Sequence, residues 1–535
     1  MKAALLVSVF VGALASGVPA AHALDERLIA GLAAEEVGAR LQSIDALVAS
    51  GDEAALALLQ AMQDRELSVT PSGRVVVVRD EKVFDASTMA PLEPAPEGLE
   101  AVVVNNRIRG ALDTALGALK LLSPDRAVRL ASAKAIETTS QAALLPLIEK
   151  AIARESDPAI TKSLQQTKAA LDLKSVDPHT RLAAVRVLGE SNQAQVRTRL
   201  LALLEKDAAG NFIESDEKVR TAAEQSIGSI QNRLLISDYL ARLFTGLSLG
   251  SILLLVALGL AITYGLLGVI NMAHGEMLMI GAYATFVTQQ LFKSFAPGLF
   301  DWYLVAAIPV AFCASALVGM ALERSVIRWL YGRPLETLLA TWGISLFLIQ
   351  SVRQIFGAQN VEVANPSWMS GGVELANMVL PYNRIVIIAF SMFVLLLMWL
   401  MLSRTRLGLF VRGVTQNRAM ASCMGVPTGR VDLLAFALGS GVAGLAGCAL
   451  SQIGNVGPDL GQSYIIDSFM VVVLGGVGQL AGTVYAALGL GVLSKFLEPH
   501  IGAVLTKILV LVLIIAFIQK RPQGLFALKG RAVEA

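Results

Sequence analysis

The sequence predicts an all-α polytopic membrane protein of about eight or nine transmembrane helices, preceded by an exported α-helical repeat domain with a small β insertion. Three observations predict it. Charge is unevenly spread: residues 243–535 carry 28 Asp, Glu, Lys and Arg side chains, and residues 1–242 carry 58. The second part contains eight charge-free windows, most of them long enough to span the roughly 30 Å hydrocarbon core as helices. The first residues read as a secretory signal. With 16% charged and 55% hydrophobic residues in 535, the chain is neither a single soluble enzyme nor a disordered protein. Neither part has the basic excess that nucleic-acid binding requires.

Residues 1–23 are the expected signal peptide. Lys2 supplies the positive start, residues 3–17 are apolar, Pro19 interrupts them, and Ala21-His22-Ala23 fits a cleavage site. Residues 24–240 form the expected periplasmic domain. Leu28, Leu32, Val37, Leu41, Ile44 and Leu47 recur at helical spacing. Residues 67–104 change character, with Val75–Val78 after Pro71-Ser72-Gly73 and a second valine run at 102–104 before Asn105-Asn106, so this segment is expected to hold strands and turns. From residue 107 a helical pattern repeats. Arg129, Arg181 and Arg220 head similar stretches, each after an aspartate turn at Asp125, Asp177 or Asp216, and Asp157 marks a weaker copy. The aspartates are expected to cap helices. The pattern resembles HEAT-type repeats, which stack helix pairs into a solenoid and bind partners rather than catalyse. No catalytic constellation and no cysteine framework occurs in this domain.

The second half, residues 243–530, has charge-free windows at 243–275, 277–292, 302–322, 337–352, 385–403, 433–458, 468–494 and 508–519. Arg404, Arg406, Arg412, Arg418 and Arg430 form a basic loop without acids, and Lys520, Arg521, Lys529 and Arg531 a basic tail. Both are expected in the cytoplasm, as are Arg324, Arg328 and Arg333. Five windows before Arg404 carry an exported N-terminus to that side. An even count from there to the tail requires a discontinuous element or two short crossings at 464–498, where Gly475-Gly476-Val477-Gly478 breaks the pattern. The many glycines suit close packing of helices in lipid.

Chemistry concentrates at the end of the first window. Tyr264 leads through Asn271, His274, Gly275 and Glu276, a polar cluster at a glycine-containing break, and such groups are costly in lipid unless they pair or line a path. The run Ile270-Asn271-Met272-Ala273-His274-Gly275-Glu276, followed by Met279-Ile280-Gly281-Ala282-Tyr283, resembles the permeases of branched-chain amino-acid (LivH-type) ABC importers. Further blocks resemble that family in order: Thr341-Trp342-Gly343-Ile344-Ser345, Asn417-Arg418-Ala419-Met420-Ala421 to Gly425, Gly475-Gly476-Val477-Gly478, and Arg521-Pro522 to Phe526.

The resemblance implies a multi-pass subunit of the bacterial inner membrane, with a periplasmic N-terminal domain, a cytoplasmic C-terminus and no catalytic or metal site. It implies Tyr264, Asn271, His274, Glu276, Thr341, Gly343, Gly475, Gly476 and Gly478 as translocation-path candidates. It also implies a coupling loop for a cytoplasmic ATPase, comprising Arg406, Gly408, Gln416, Asn417, Arg418, Ala421 and Gly425, with Gln416 where the family usually has Glu. The chain has no GxxxxGK[ST] loop, so ATP and Mg belong to partner ATPases and this chain holds no cofactor. A periplasmic solute-binding protein, a second similar permease and membrane lipid complete the implied partners. The exported extension and Met272 resemble the urea-transport members. Branched-chain amino acids or short amides remain alternative solutes, and a passive urea channel with an exported sensory domain is the rival of another class.

Overall fold

A computed structural model describes residues 25–526 except 80, 81, 89, 93, 95, 97, 138–140, 209, 376 and 377. The expected signal peptide and the tail residues Lys529 and Arg531 lie outside the described residues. The chain divides into two units, Met1–Leu234 and Leu235–Ala535.

In the first unit the helical spacing at 24–64 becomes three helices, α1 (Glu26–Leu32), α2 (Val37–Ser50) and α3 (Glu53–Gln63). The valine-rich segment becomes four strands, β1 (Leu67–Val69), β2 (Val75–Arg79), β3 (Lys82–Asp85) and β4 (Glu100–Ala101), in the antiparallel order β3-β2-β1-β4. Leu67 faces Val77 and Val77 faces Phe84, so aliphatic and aromatic side chains line up across the sheet. Helices α4 (Asn106–Leu119), α5 (Arg126–Ile136), α6 (Leu145–Arg154), α7 (Pro158–Asp172), α8 (Pro178–Gly189) and α9 (Ala194–Leu203) follow. One core joins Leu32, Leu47, Leu58, Leu67, Val77, Ile108 and Leu147, and a second gathers Val185, Leu188, Leu200, Val219 and Ile230.

The recurring residues share one geometry. Asp125, Asp157, Asp177 and Asp216 each accept hydrogen bonds from backbone N–H groups of the helix that follows. One turn into the helix, an arginine folds back. Arg129 Nη1 donates to the carbonyls of Ser123 and Pro124, Arg181 Nη1 to those of Ser175 and Val176, and Arg220 Nη1 to those of Glu214 and Ser215. The other edge of Arg129 pairs with Glu155 at 2.8 Å, and that of Arg181 with Glu214 at 2.7 Å. Glu155 and Glu214 sit two residues before the capping Asp157 and Asp216. Arg129 and Arg181 thus tie their own turns to the next ones.

The second unit begins within α10 (Glu217–Leu267) and continues with α11 (His274–Phe295), α12 (Tyr303–Ser325), α13 (Pro334–Phe356) and α14 (Tyr382–Arg404). Two amphipathic helices, α15 (Arg406–Gln416) and α16 (Arg418–Cys423), precede α17 (Thr428–Ser451), α18 (Leu460–Gly475), α19 (Leu480–Ile501) and α20 (Ala503–Lys520). Among the described residues, seven helices are long and apolar enough to cross a membrane: α10, α12, α13, α14, α17, α19 and α20. The sequence predicts eight or nine. The difference lies in α11, which carries buried His, Glu and Gln side chains, and in α18, whose 16 residues reach only about 24 Å. The glycine run splits the 464–498 region between α18 and α19, with positive φ at Gly476 and Gly478. The expectation of a purely helical membrane half needs correction. A hairpin of β5 (Gly372–Leu375) and β6 (Met378–Pro381) stands between α13 and α14, with Val373 opposite Leu380.

The Arg181–Glu214 pair should carry stability in the first unit. The hydrogen bond from Arg181 holds the Glu214 carboxyl below its usual range, and the glutamate side chain is only 3% exposed. Because that pKa is depressed on folding, the contribution is complete above the ordinary carboxylate value of about 4.3 and is lost as the pH falls through the folded value. Arg181→Ala, which strands the buried carboxylate, should cost about 3 kcal/mol. Hydrogen exchange of the full-length chain would show this as faster exchange over residues 175–216 at neutral pH, with the gap to wild type closing in acid.

Candidate functional site

The site is a break in the membrane unit between α10 and α11. Gly268, at φ +66°, ends α10 by leaving the helical path, and its N–H still bonds the Tyr264 carbonyl at 3.1 Å. Residues 268–273 turn back into the protein. The imidazole of His274 meets the carbonyl of Val256 through Nε2 at 3.2 Å. Val256 lies about three turns before α10 ends, so α11 starts inside the helix bundle rather than at its edge.

Two backbone N–H groups at this break find side-chain acceptors, and a buried carboxylate finds a hydroxyl. Asn271 Oδ1 accepts from the Ala273 N–H at 3.1 Å. Thr341 Oγ1, on α13, accepts from the Met272 N–H at 3.1 Å. Glu276, in the first turn of α11, accepts from Ser345 Oγ at 2.8 Å and is 1% exposed. Thr341 and Ser345 are one helical turn apart, so α13 presents both to the break. Each of the three motif residues also has a buried polar atom without a partner among the described residues: Asn271 Nδ2, His274 Nδ1 and Glu276 Oε2. Because Nε2 of His274 donates to the Val256 carbonyl, one amide donor, one imidazole nitrogen that accepts when the ring is neutral, and one carboxylate oxygen are therefore free to meet a small polar molecule or water at this depth.

Glycines bring the surrounding backbones close enough to close the site. A Cβ on Gly259 would collide with the Gly439 carbonyl and lie 2.9 Å from His274 Cε1. A Cβ on Gly275 would stand 2.5 Å from the Gly461 carbonyl, which places the start of α18 against the start of α11. Gly281 meets Gly444, and Gly447 meets the Leu278 carbonyl. Two helix N-termini thus begin side by side in the interior, a favourable place for the carboxylate of Glu276.

The path candidates separate into two groups. Asn271, His274, Glu276 and Thr341 come together. Tyr264 is half-buried against Phe469, with ring centroids 5.9 Å apart. Gly343 is exposed, with open space where a Cβ would be. Gly475, Gly476 and Gly478 serve packing instead: Gly475 abuts Gly482, Gly476 the carbonyl of Phe526, and Gly478 the backbone of Gly265. Ser345 was not among the candidates, although its i+4 spacing from Thr341 was a readable signal.

The basic loop is built by its own caps. Thr405 caps α15 through the Gly408 N–H at 3.4 Å, and Asn417 caps α16 through the Met420 N–H at 2.9 Å. Gly408 lies against the Leu402 carbonyl. Arg418 forms an ion pair with the buried Asp432 and lies 4.9 Å above the Tyr331 ring. Gly425 takes φ +81° at the turn into α17. Arg406 and Gln416 are exposed at the two ends of α15. Ala421 is buried, and Met420 and Met424 are exposed. Among the described residues no group of three His, Cys, Asp or Glu side chains could hold a metal ion.

A bundle of apolar helices with a glycine-closed polar break defines a polytopic membrane protein of the permease class. Residues 242–518 match the family described as branched-chain amino acid transport system / permease component, and the chain belongs to that family. It is 30% identical over 297 residues to the high-affinity branched-chain amino acid transport system permease protein BraD of Pseudomonas aeruginosa, covering 54% of this chain and 96% of that protein. The LivH permease protein of Salmonella typhimurium is 30% identical over 294 residues, with 54% and 95% covered. The probable LivH permease protein of Methanocaldococcus jannaschii is 25% identical over 301 residues, with 51% and 88% covered.

The glycine contacts set a sharp contrast. Gly259→Val should prevent accumulation of folded protein, because backbone and imidazole leave no room for the side chain. Gly343→Ala should change stability by less than about 0.5 kcal/mol. Yield and thermal melting of the detergent-purified protein check both.

Proposed function

We propose that this chain is the permease subunit of an ATP-driven importer in a bacterial inner membrane, and that urea is its solute. Family membership supports the permease role. The solute reading rests on the exported extension and Met272, the two features that resemble urea-transport members. The break suits such a solute: urea presents one carbonyl acceptor and two amide donors, and the buried partnerless atoms of Asn271, His274 and Glu276 can bond to either kind. A second reading, a branched-chain amino acid, is favoured by the names of the relatives above.

In this proposal ATP and Mg are used by partner ATPases. Helices α15 and α16 dock there through the exposed Met420 and Met424, rimmed by Arg406 and Arg412, while the Arg418–Asp432 pair ties α16 to α17. The arginine distribution supports an orientation with this loop and the C-terminus in the cytoplasm and residues 24–240 in the periplasm, which requires α11 and α18 to cross together with the seven long apolar helices. The exported domain is HEAT-like and receives a solute-binding protein, and a second similar permease completes the pathway.

Uptake of labelled urea into proteoliposomes holding the complete transporter, binding protein and internal ATP tests the reading. Unlabelled urea should compete and leucine should not. Competition by leucine alone would move the assignment to the second reading, and undiminished uptake without ATP would favour a passive channel. Met424→Asp should lower transport about tenfold or more by placing a charge in the ATPase contact, with the subunit still folded.

A further inference from the structure

A second polar region, lined by residues other than those of the α10–α11 break, lies in the membrane unit. A cavity of about 230 Å³ opens between α10, α18, α19 and α20. Its walls carry two ion pairs, Asp467 with Lys507 at 3.4 Å and Lys495 with Glu498 at 2.5 Å. Tyr464, Ser494 and Thr506 add polar atoms. Beneath them the lining turns apolar, with Leu249, Leu253, Met470, Leu490 and Val510. Charges on helices of this kind are costly unless a function retains them.

The surroundings of the cavity indicate its occupant. Lys507 is 62% exposed at the mouth, on a helix whose neighbouring positions Val504, Leu505, Ile508 and Val512 are exposed and apolar. Such a face meets acyl chains, not water. Tyr239 stacks on Phe496 at 6.0 Å, next in sequence to Lys495, in the manner of aromatic residues at headgroup level. The cavity therefore combines acid and base at the lipid–water boundary with an apolar wall leading into the bilayer.

We propose that this cavity binds the headgroup of a zwitterionic phospholipid with a primary ammonium. Lys507 and Lys495 meet the phosphate, Asp467 and Glu498 meet the ammonium, and the first acyl carbons follow Leu249 and Val510. A bound lipid of this kind would fasten α20 to α10 and α18. In the orientation proposed above, the lipid comes from the outer leaflet.

Native mass spectrometry of the assembled transporter, taken from vesicles of phosphatidylethanolamine, phosphatidylcholine and phosphatidylglycerol, tests it. The wild type should retain phosphatidylethanolamine in preference to the trimethylated phosphatidylcholine, a readout that needs no variant. The double substitution Asp467→Asn with Lys507→Gln should lower that retention about tenfold. Ser494→Phe, which fills the cavity and leaves its charges in place, should lower it as well. Equal retention of the two lipids by the wild type would overturn the proposal. So would folded variants that keep the lipid but show a raised KM for the solute, because the cavity would then belong to the solute path.

Discussion

Close backbone contact between glycines is the constraint on which the membrane unit depends. Lipid offers no hydrogen bonds to an interrupted helix, so a break is tolerated only where protein surrounds it. Here the chain interrupts α10 and starts α11 within the bundle. That is possible because Gly259 faces Gly439, Gly275 faces Gly461, Gly281 faces Gly444, and Gly447 faces the Leu278 carbonyl. These contacts bring α10, α11, α17 and α18 together, and Asn271, the Val256 carbonyl, and Thr341 and Ser345 of α13 bond polar groups freed at the break. The remaining polar atoms mark the site.

The first unit is governed by a different constraint. In water, helices are held by apolar burial, and their ends need caps. The chain solves both with one repeated arrangement of a capping aspartate, an arginine folded onto the preceding turn, and a glutamate from the next turn. Arg220 closes the series with its guanidinium 5.0 Å from the Phe212 ring. The same short pattern therefore sets where helices start and how successive turns are linked.

Much of this was legible in the sequence. The four aspartates preceded helical stretches, and aspartate caps because its carboxylate reaches the first free N–H groups. The valine run gave the sheet, and the glycine run at 475–478 gave the gap between α18 and α19. The polar cluster from Asn271 to Glu276 stood out because its residues are rare at membrane depth. Tertiary contacts hid the rest. A glycine that packs and one that lines a path have the same local pattern, so the sequence does not show that Gly475 abuts Gly482, Gly476 the C-terminal segment at Phe526, and Gly478 the backbone of Gly265. The inward direction of Ala421 depends on the angle at which α16 meets α17. The β5–β6 hairpin is short, and Gly371 and Gly372 were its weak signals.

The central claim is that the break between α10 and α11 lies on the solute path. Solvent access at Glu276 during turnover tests it most directly. In a chain whose free cysteines Cys313, Cys423 and Cys448 have been replaced, Glu276→Cys would be exposed to a membrane-impermeant thiol reagent. The account predicts protection at rest, as the 1% exposure of Glu276 requires, and labelling once ATP and the loaded binding protein are supplied. Equal protection in both states, in a variant that still folds and assembles, would contradict it.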